Sequence, residues 1–360
     1  MEQEMNTMGM LDLMVHPAFC VKNNQIIHTN QAARGLFLEP GMDIRHMLAT
    51  GQAEYAQYTG GSLYLMLTLS GQEISASVTR MDDCDIFLLD GEDRAELRAM
   101  SLAARELREP LTAVMTTAGR LFPLSGEAED PGLREQVARL NRGLYQMLRV
   151  VSNMSDAGLS VVSPLSRQET VEIRGILQEI FDRSGELIAH SGLELRFENL
   201  NQPVYCLADR EKLERAIWNI LSNSMKFTPK GGQICAKAVR RDSRLYLSIQ
   251  DSGEGISPSL RGSLHNRYLR QPGIEDPRHG IGLGMVLIRS AAACHGGTVL
   301  VDHPEGAGTR ITLTLAIRQN PNPEVRSRIL RVDYAGERDH GLMELSGTLP
   351  ASLYESEKIM

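Results

Sequence analysis

Between Leu11 and Leu89 short apolar runs alternate with turn residues, as AFCVKNNQIIHTN, GSLYLMLTL, GQEISASVTR and CDIFLLDG. SLYLMLTL and ISASVTRM alternate between glycine-containing turns with the period of a strand, and NQAARGLF between the early and late runs has helical character. This part of the chain is expected to be a small α+β sheet with helices inserted after its first hairpin. At Asp93 the period changes. Leu97, Met100, Ala104, Leu107, Leu111, Val114, Ala118 and Leu121 recur at spacings of three and four, PLSGEAEDPG interrupts them, and Leu133, Val137, Leu140, Leu144, Met147, Val151 and Met154 resume the pattern. Two long helices forming an antiparallel hairpin are expected, each with an apolar stripe that needs a partner surface. Pairing two hairpins into a four-helix bundle buries both stripes, which predicts a homodimer through residues 93–158. Packing of the hairpin on its own C-terminal domain is the second arrangement, less favoured because so narrow and regular a stripe suits a coiled seam. Pro110 falls inside the first helix and is expected to kink it beside Arg105 to Glu109.

From about Arg167 the chain mixes strand-like runs (LELRFENL, PVYCLAD, QICAKAVR, RLYLSIQD, GTVLVDH, RITLTLAI) with helical ones (VEIRGILQEIFDRSGELIAHS, REKLERAIWNILSNSMKF, MVLIRSAAACH). This predicts an α+β domain of roughly 150 residues. Residues 318–360 carry no clear period. At 360 residues, 42% hydrophobic and 23% charged, the chain has ordinary globular composition and room for two or three domains. A net charge of -7 provides no general basic surface for nucleic acid or anionic lipid. Five scattered cysteines without a CxxC argue for neither a disulfide framework nor a zinc site. No run of about 18 apolar residues occurs, so membrane insertion is not expected and a cytoplasmic location is.

The candidate chemistry lies in the C-terminal domain. Asn219, Asn223 and Lys226, spaced by four and three, share one face of a helix and would project two amides and an ammonium together. Either asparagine alone would be read as a cap or a surface residue. Asp251 ends the strand LYLSIQD and precedes Gly253 and Gly255, placing a carboxylate beside backbone that a flat ring can approach; such a carboxylate can accept from the amine of adenine. Gly280, Gly282 and Gly284, with Leu283 between, open the helix MVLIRS, where backbone N–H groups and the helix dipole suit a polyphosphate. The preceding stretch, with Arg261, Arg267, Arg270 and Arg278, reads as a lid. Gly306 to Arg310 form a turn in which Thr309 offers a hydroxyl.

In order and spacing these segments resemble the ATP-binding domain of sensor histidine kinases and of the gyrase, Hsp90 and MutL type ATPases. NILSNSMKFTPKGG, DSGEGIS, GIGLGM, HGGTVLV and GAGT carry the resemblance. It implies a multi-domain α+β protein: a PAS-like sensor domain at 8–92, a dimerisation and phosphoacceptor-like hairpin at 93–158, a two-layer α/β sandwich ATPase domain at 165–317, and a tail of unknown role at 318–360. It further implies ATP and magnesium as ligands, with Asn219 and Asn223 on the metal and phosphates, Lys226 on a phosphate and Asp251 on the adenine amine. Gly280, Gly282 and Gly284 would be the lid hinge, and a response regulator or a partner kinase would be the signalling partner.

One segment departs from the family. Where relatives carry Ser-His-Glu-Leu-Arg-Thr-Pro-Leu, this chain reads Ala104-Arg105-Glu106-Leu107-Arg108-Glu109-Pro110-Leu111. Arg105 occupies the acceptor position, and no histidine lies between residues 47 and 189. A guanidinium has no lone pair to attack phosphorus at neutral pH, unlike imidazole. Glu106 keeps the base position without an imidazole proton to take, and Glu109 replaces the Thr or Asn that positions water in relatives. His265 stands where the lid usually carries Phe. The expected function is therefore a signal-transduction protein that binds ATP and magnesium and is impaired in autophosphorylation. The alternatives are an active kinase acting on a partner chain in trans, or a non-enzymatic ATP-binding scaffold.

Overall fold

A computed structural model describes residues 8–81, 83–89, 94–121, 131–162, 168–255, 283–304, 308–318 and 338–355. Strands β1 (Ala18–Lys22) and β2 (Gln25–Thr29) form a hairpin. Its turn places Asn23 and Asn24 at φ 51 and 64, a left-handed conformation that asparagine tolerates. Helices α1 (Gln31–Arg34) and α2 (Gln52–Ala56) follow, then β3 (Ser62–Leu69), β4 (Gln72–Met81) and β5 (Cys84–Leu89). The five strands lie in the order β2-β1-β5-β4-β3. Buried Asn30 ties the entry to this unit: its Oδ1 accepts from Ala18 N and Ala33 N, and its Nδ2 donates to the carbonyls of Leu11, Met14 and His16.

Helices α3 (Arg94–Leu121) and α4 (Pro131–Val162) make the expected hairpin, and α3 continues through Pro110. The apolar stripe divides. Leu97, Ala104, Leu111 and Ala118, spaced by seven, are buried within the chain, as are Leu144 and Val151 of α4. Leu107 and Val114, and Leu133, Leu140 and Met147, form the complementary seven-spaced sets and stand 42–52% exposed. The two sets lie about 60° apart around the helix at 3.6 residues per turn, and the second is left uncovered within the chain. Against the sequence expectation, part of the stripe does pack on the chain's own C-terminal domain: Leu97, Met100, Met154 and Ala157 form a cluster with Leu283, Val286 and Leu287.

The C-terminal domain holds β6 (Glu169–Glu172), α5 (Ile173–Ala189), β7 (Glu194–Glu198), β8 (Tyr205–Ala208), α6 (Arg210–Phe227), β9 (Gln233–Arg241), β10 (Arg244–Asp251), α7 (Leu283–Cys294), β11 (Val299–Asp302) and β12 (Arg310–Ala316). The run from Val171 does not begin as a helix: Val171 pairs with Cys206, and Glu172 caps α5 by accepting from Arg174 N and Gly175 N. The main sheet runs β11-β12-β10-β9-β7, parallel only between β7 and β9, and buried side chains of α5, α6 and α7 share its core.

Sequence reading treats the two sheets as separate, yet they join. β3 pairs antiparallel with β11 through Ser62, Leu63 and Tyr64 opposite Val301, Leu300 and Val299, giving ten strands in one sheet. Gly61, at φ +89, fits there because a side chain would meet the Val301 carbonyl at 2.5 Å. Glu54 reaches Arg244 at 3.0 Å across the junction, and Arg289 of α7 lies over the Tyr64 ring.

The tail also gains a definite place. Asp339 caps α8 (His340–Glu344) by accepting from Leu342 N, and Leu342, Met343, Leu345, Leu349, Leu353 and Tyr354 join the core shared by α4, α5 and α6. Helix α4 also holds the segment's backbone: Asn141 donates to the Tyr354 carbonyl, and Arg142 and Gln146 donate to that of Ser346. Among the described residues no helix is long and apolar enough to cross a membrane.

Candidate functional site

Helix α6 is fixed at its start by Asp209, whose side chain accepts from Lys212 N. Leu213, Ile217, Ile220 and Leu221 bury its inner face, which leaves Asn219, Asn223 and Lys226 on the flank toward α7 and α4. Asn219 is 1% exposed. Its Nδ2 donates to the Arg215 carbonyl, and its Oδ1 accepts from Arg149 of α4 at 3.4 Å. Asn223 and Lys226 are half-buried. Burial, and then the nearby Arg149 cation, push the Lys226 ammonium down to about 8.

Asp251 closes β10, and its carboxylate organises the turn beside it. Oδ1 accepts from the backbone N–H groups of Gly253 and Thr309, each at 3.0 Å. Burial raises its pKa, while these N–H donors act in the opposite direction. Thr309 thus engages the site through its backbone N–H. Gly253 and Gly308 are required by contact: a Cβ on either would collide with the Phe227 carbonyl or the Asp251 carboxylate respectively. Gly255, at φ +72, lies beside the same turn.

Leu283 is buried at the start of α7, and a Cβ on Gly284 would sit 3.1 Å from Asn219 Oδ1. The first turn of α7 therefore adjoins the asparagine face of α6, as the motif order requires. Gly280, Gly282, the lid arginines and His265 lie outside the described residues. Arg105 and Glu106 are exposed on α3.

The structure adds an ionic cluster that local sequence patterns do not reveal. Arg215 of α6, 4% exposed, pairs with Asp156 of α4 and with Glu344 of α8 at 3.4 Å, and donates to Asn153 at 2.6 Å. Glu344, fully buried, also meets Arg149 Nε at 3.1 Å. The available signals were an arginine interrupting the apolar stretch Tyr145–Val151, and an aspartate three residues ahead of Leu342 in an otherwise featureless tail.

Residues 208–319 match the family described as histidine kinase-, DNA gyrase B- and HSP90-like ATPases. The chain is 26% identical over 244 residues to histidine kinase P4 of Formosa agariphila, covering 62% of this chain and 17% of that protein. It is 29% identical over 258 residues to the histidine protein kinase DivJ of Caulobacter vibrioides, covering 69% of this chain and 42% of the relative. The chain thus spans less than half of either relative's length. Among solved structures, full-length ShkA in complex with AMPPNP aligns with a TM-score of 0.49 at 22% identity, over 63% of this chain and 47% of that one. The ATPase-family match over α6 to β12, and a similarity to histidine kinases that extends beyond that domain, support a relation to the sensor histidine kinases.

Proposed function

We propose that the chain is a cytoplasmic histidine kinase-type signalling protein that binds ATP with Mg2+ but does not phosphorylate its own hairpin at the family's position. Arg105 at that position carries the second half of this reading. It is exposed on α3, permanently charged, and offers no nucleophilic nitrogen. The Asp251 turn supports the first half. Asp251 would accept from the adenine amine, with Gly253, Gly255 and Gly308 keeping the space beside it free of side chains. Asn223 would hold Mg2+ with Asn219 braced behind it, and Lys226 would meet a phosphate. Gly280, Gly282, Leu283 and Gly284 would contribute backbone and packing at the lid hinge. The bound metal would supply charge neutralisation on the phosphates.

Incubating the purified chain with labelled ATP and Mg2+ tests both halves. At tenfold excess over Kd, ATP should stabilise the wild type by about 1.4 kcal/mol, and Asp251→Ala should lose this shift. No acid-labile label should appear on the chain. Equal stabilisation of both proteins overturns the site, and acid-labile label on the hairpin overturns the loss of autophosphorylation. Glu106, exposed and still adjacent to the acceptor position, favours a second reading in which a histidine on a partner chain is phosphorylated in trans; label on a co-incubated partner would select it.

The exposed set Leu107, Val114, Leu140 and Met147 supports a homodimer through 93–158, and a response regulator or partner kinase would engage that assembly. The double substitution Leu107→Glu/Leu140→Glu should halve the mass measured by light scattering. A wild-type monomer at micromolar concentration, or an undisturbed dimer in the variant, overturns this interface.

A further inference from the structure

We propose that Arg149, carried by hairpin helix α4, binds the phosphate groups of a nucleotide in the cleft between α6 and α7, and that Glu344 of the C-terminal segment is its positioning residue. The assignment rests on the nucleotide-binding reading above and adds a ligand from outside the ATPase domain. Three observations converge on it. First, Arg149 Nη2 lies 3.4 Å from Asn219 Oδ1, the oxygen that a Cβ on Gly284 would approach to 3.1 Å. The guanidinium therefore stands at the meeting point of the α6 asparagine face and the first turn of α7. That helix is 12 residues long, and the first turn of a helix favours a nearby anion.

Second, the charges do not balance without an anion. Arg149, Arg215 and Lys226 bring three positive charges to this corner. Glu344 and Asp156 bring two negative ones, and Lys226 makes no ion pair among the described residues. The excess of +1 lies on Arg149 and Lys226: burial first, and then the Arg149 cation, weaken the lysine's hold on its proton. A phosphate oxygen between them removes their repulsion.

Third, the guanidinium is held in a definite orientation. Glu344 Oε2 takes the Nε edge of Arg149 at 3.1 Å, and its other oxygen faces Arg215 Nε at 3.4 Å. With its Nε edge fixed by a fully buried carboxylate, Arg149 turns its Nη groups toward Asn219, the geometry that suits a planar fork meeting phosphate oxygens. The carboxylate in turn is held by burial of Leu342, Met343 and Leu345 around it. Affinity for the phosphates thereby depends on a segment about 120 residues beyond the asparagine helix. Nucleotide binding and docking of the hairpin on the ATPase domain become one event.

Titration calorimetry on the full chain with Mg2+, using ATP, ADP and adenosine as separate ligands, tests this. Arg149→Met, which keeps the aliphatic stem, should weaken ATP binding roughly tenfold and ADP binding less, with adenosine changed by less than about twofold. Arg149→Lys should recover part of the loss. Glu344→Gln should give the same phosphate-dependent pattern at smaller amplitude, and Glu344→Asp should restore it partly. A structural role alone would weaken adenosine and ATP equally, so a uniform loss in both Arg149 variants overturns the assignment, as does unchanged ATP affinity in Arg149→Met. If the wild type binds neither ATP nor adenosine, the nucleotide site itself falls. If the wild type binds ATP and Arg149→Met binds it equally well, only the role of Arg149 falls.

Discussion

Arg215→Ala should lower the unfolding free energy of the chain by about 3 to 5 kcal/mol in a urea titration, because it breaks a buried ion-pair network by removing one partner. Glu344, with no exposure, would keep only Arg149, and Asp156 and Asn153 would lose the donor that joins α4 to α6. Three elements distant in sequence meet at this one guanidinium, so α4, α6 and α8 would loosen together. Replacing Arg215 and Glu344 jointly by Met and Leu should recover most of the loss, since the groups left behind, Arg149 and Asp156, are less buried and can be hydrated. A loss below about 1 kcal/mol in the single variant would show that water already compensates these charges.

Lys226→Met should stabilise the nucleotide-free protein at pH 7 and weaken its grip on ATP. The ammonium titrates at about 8 in the fold against an ordinary 10.5, chiefly through burial and secondarily through Arg149. Below pH 8 it is charged in both folded and unfolded chains, and the fold bears the full penalty of about 3 kcal/mol at 1.36 kcal/mol per pH unit. Between pH 8 and 10.5 the unfolded chain binds the extra proton, so wild-type stability rises with pH across that window; the methionine variant lacks this rise. Phosphate binding favours the charged form, which gives the opposite dependence for affinity: strongest below pH 8 and falling above it. ATP affinity that stays flat from pH 7 to 9, together with no stabilisation in the variant, would remove Lys226 from the phosphate site.

Local periodicity carried most of the secondary structure. The strands Ser62–Leu69 and Gln72–Met81 lie where the sequence has its alternating runs; the left-handed Ser70-Gly71 turn joins them, as Asn23-Asn24 joins β1 to β2. The seven-residue spacing of Leu97, Ala104, Leu111 and Ala118 was equally plain. Which set faces inward was not, since Leu and Val occur in both and the deciding contacts are distant in sequence: Leu97 meets Leu283 and Val286, while Ala104, Leu111 and Ala118 share a core with Leu144 and Val151. Asp251, Asn223 and the glycines stood out because their chemistry is unusual at a strand end, in mid-helix and at a helix start. Arg149 and Glu344 are ordinary residues for exposed helix positions and lie 195 residues apart. Only the fold buries Glu344 and brings it to the half-buried Arg149 as a carboxylate partner.

The junction of β3 with β11 also governs what a shortened chain would do. Removing residues 8–92 would strip β11 of its neighbour and leave Val299, Leu300 and Val301 as a bare strand edge with unpaired backbone groups. Such an edge recruits other strands, including the same edge of a second molecule. Self-association of the truncated chain would then report a newly opened sheet, and the hairpin's own pairing strength would have to be measured with the N-terminal sheet still in place.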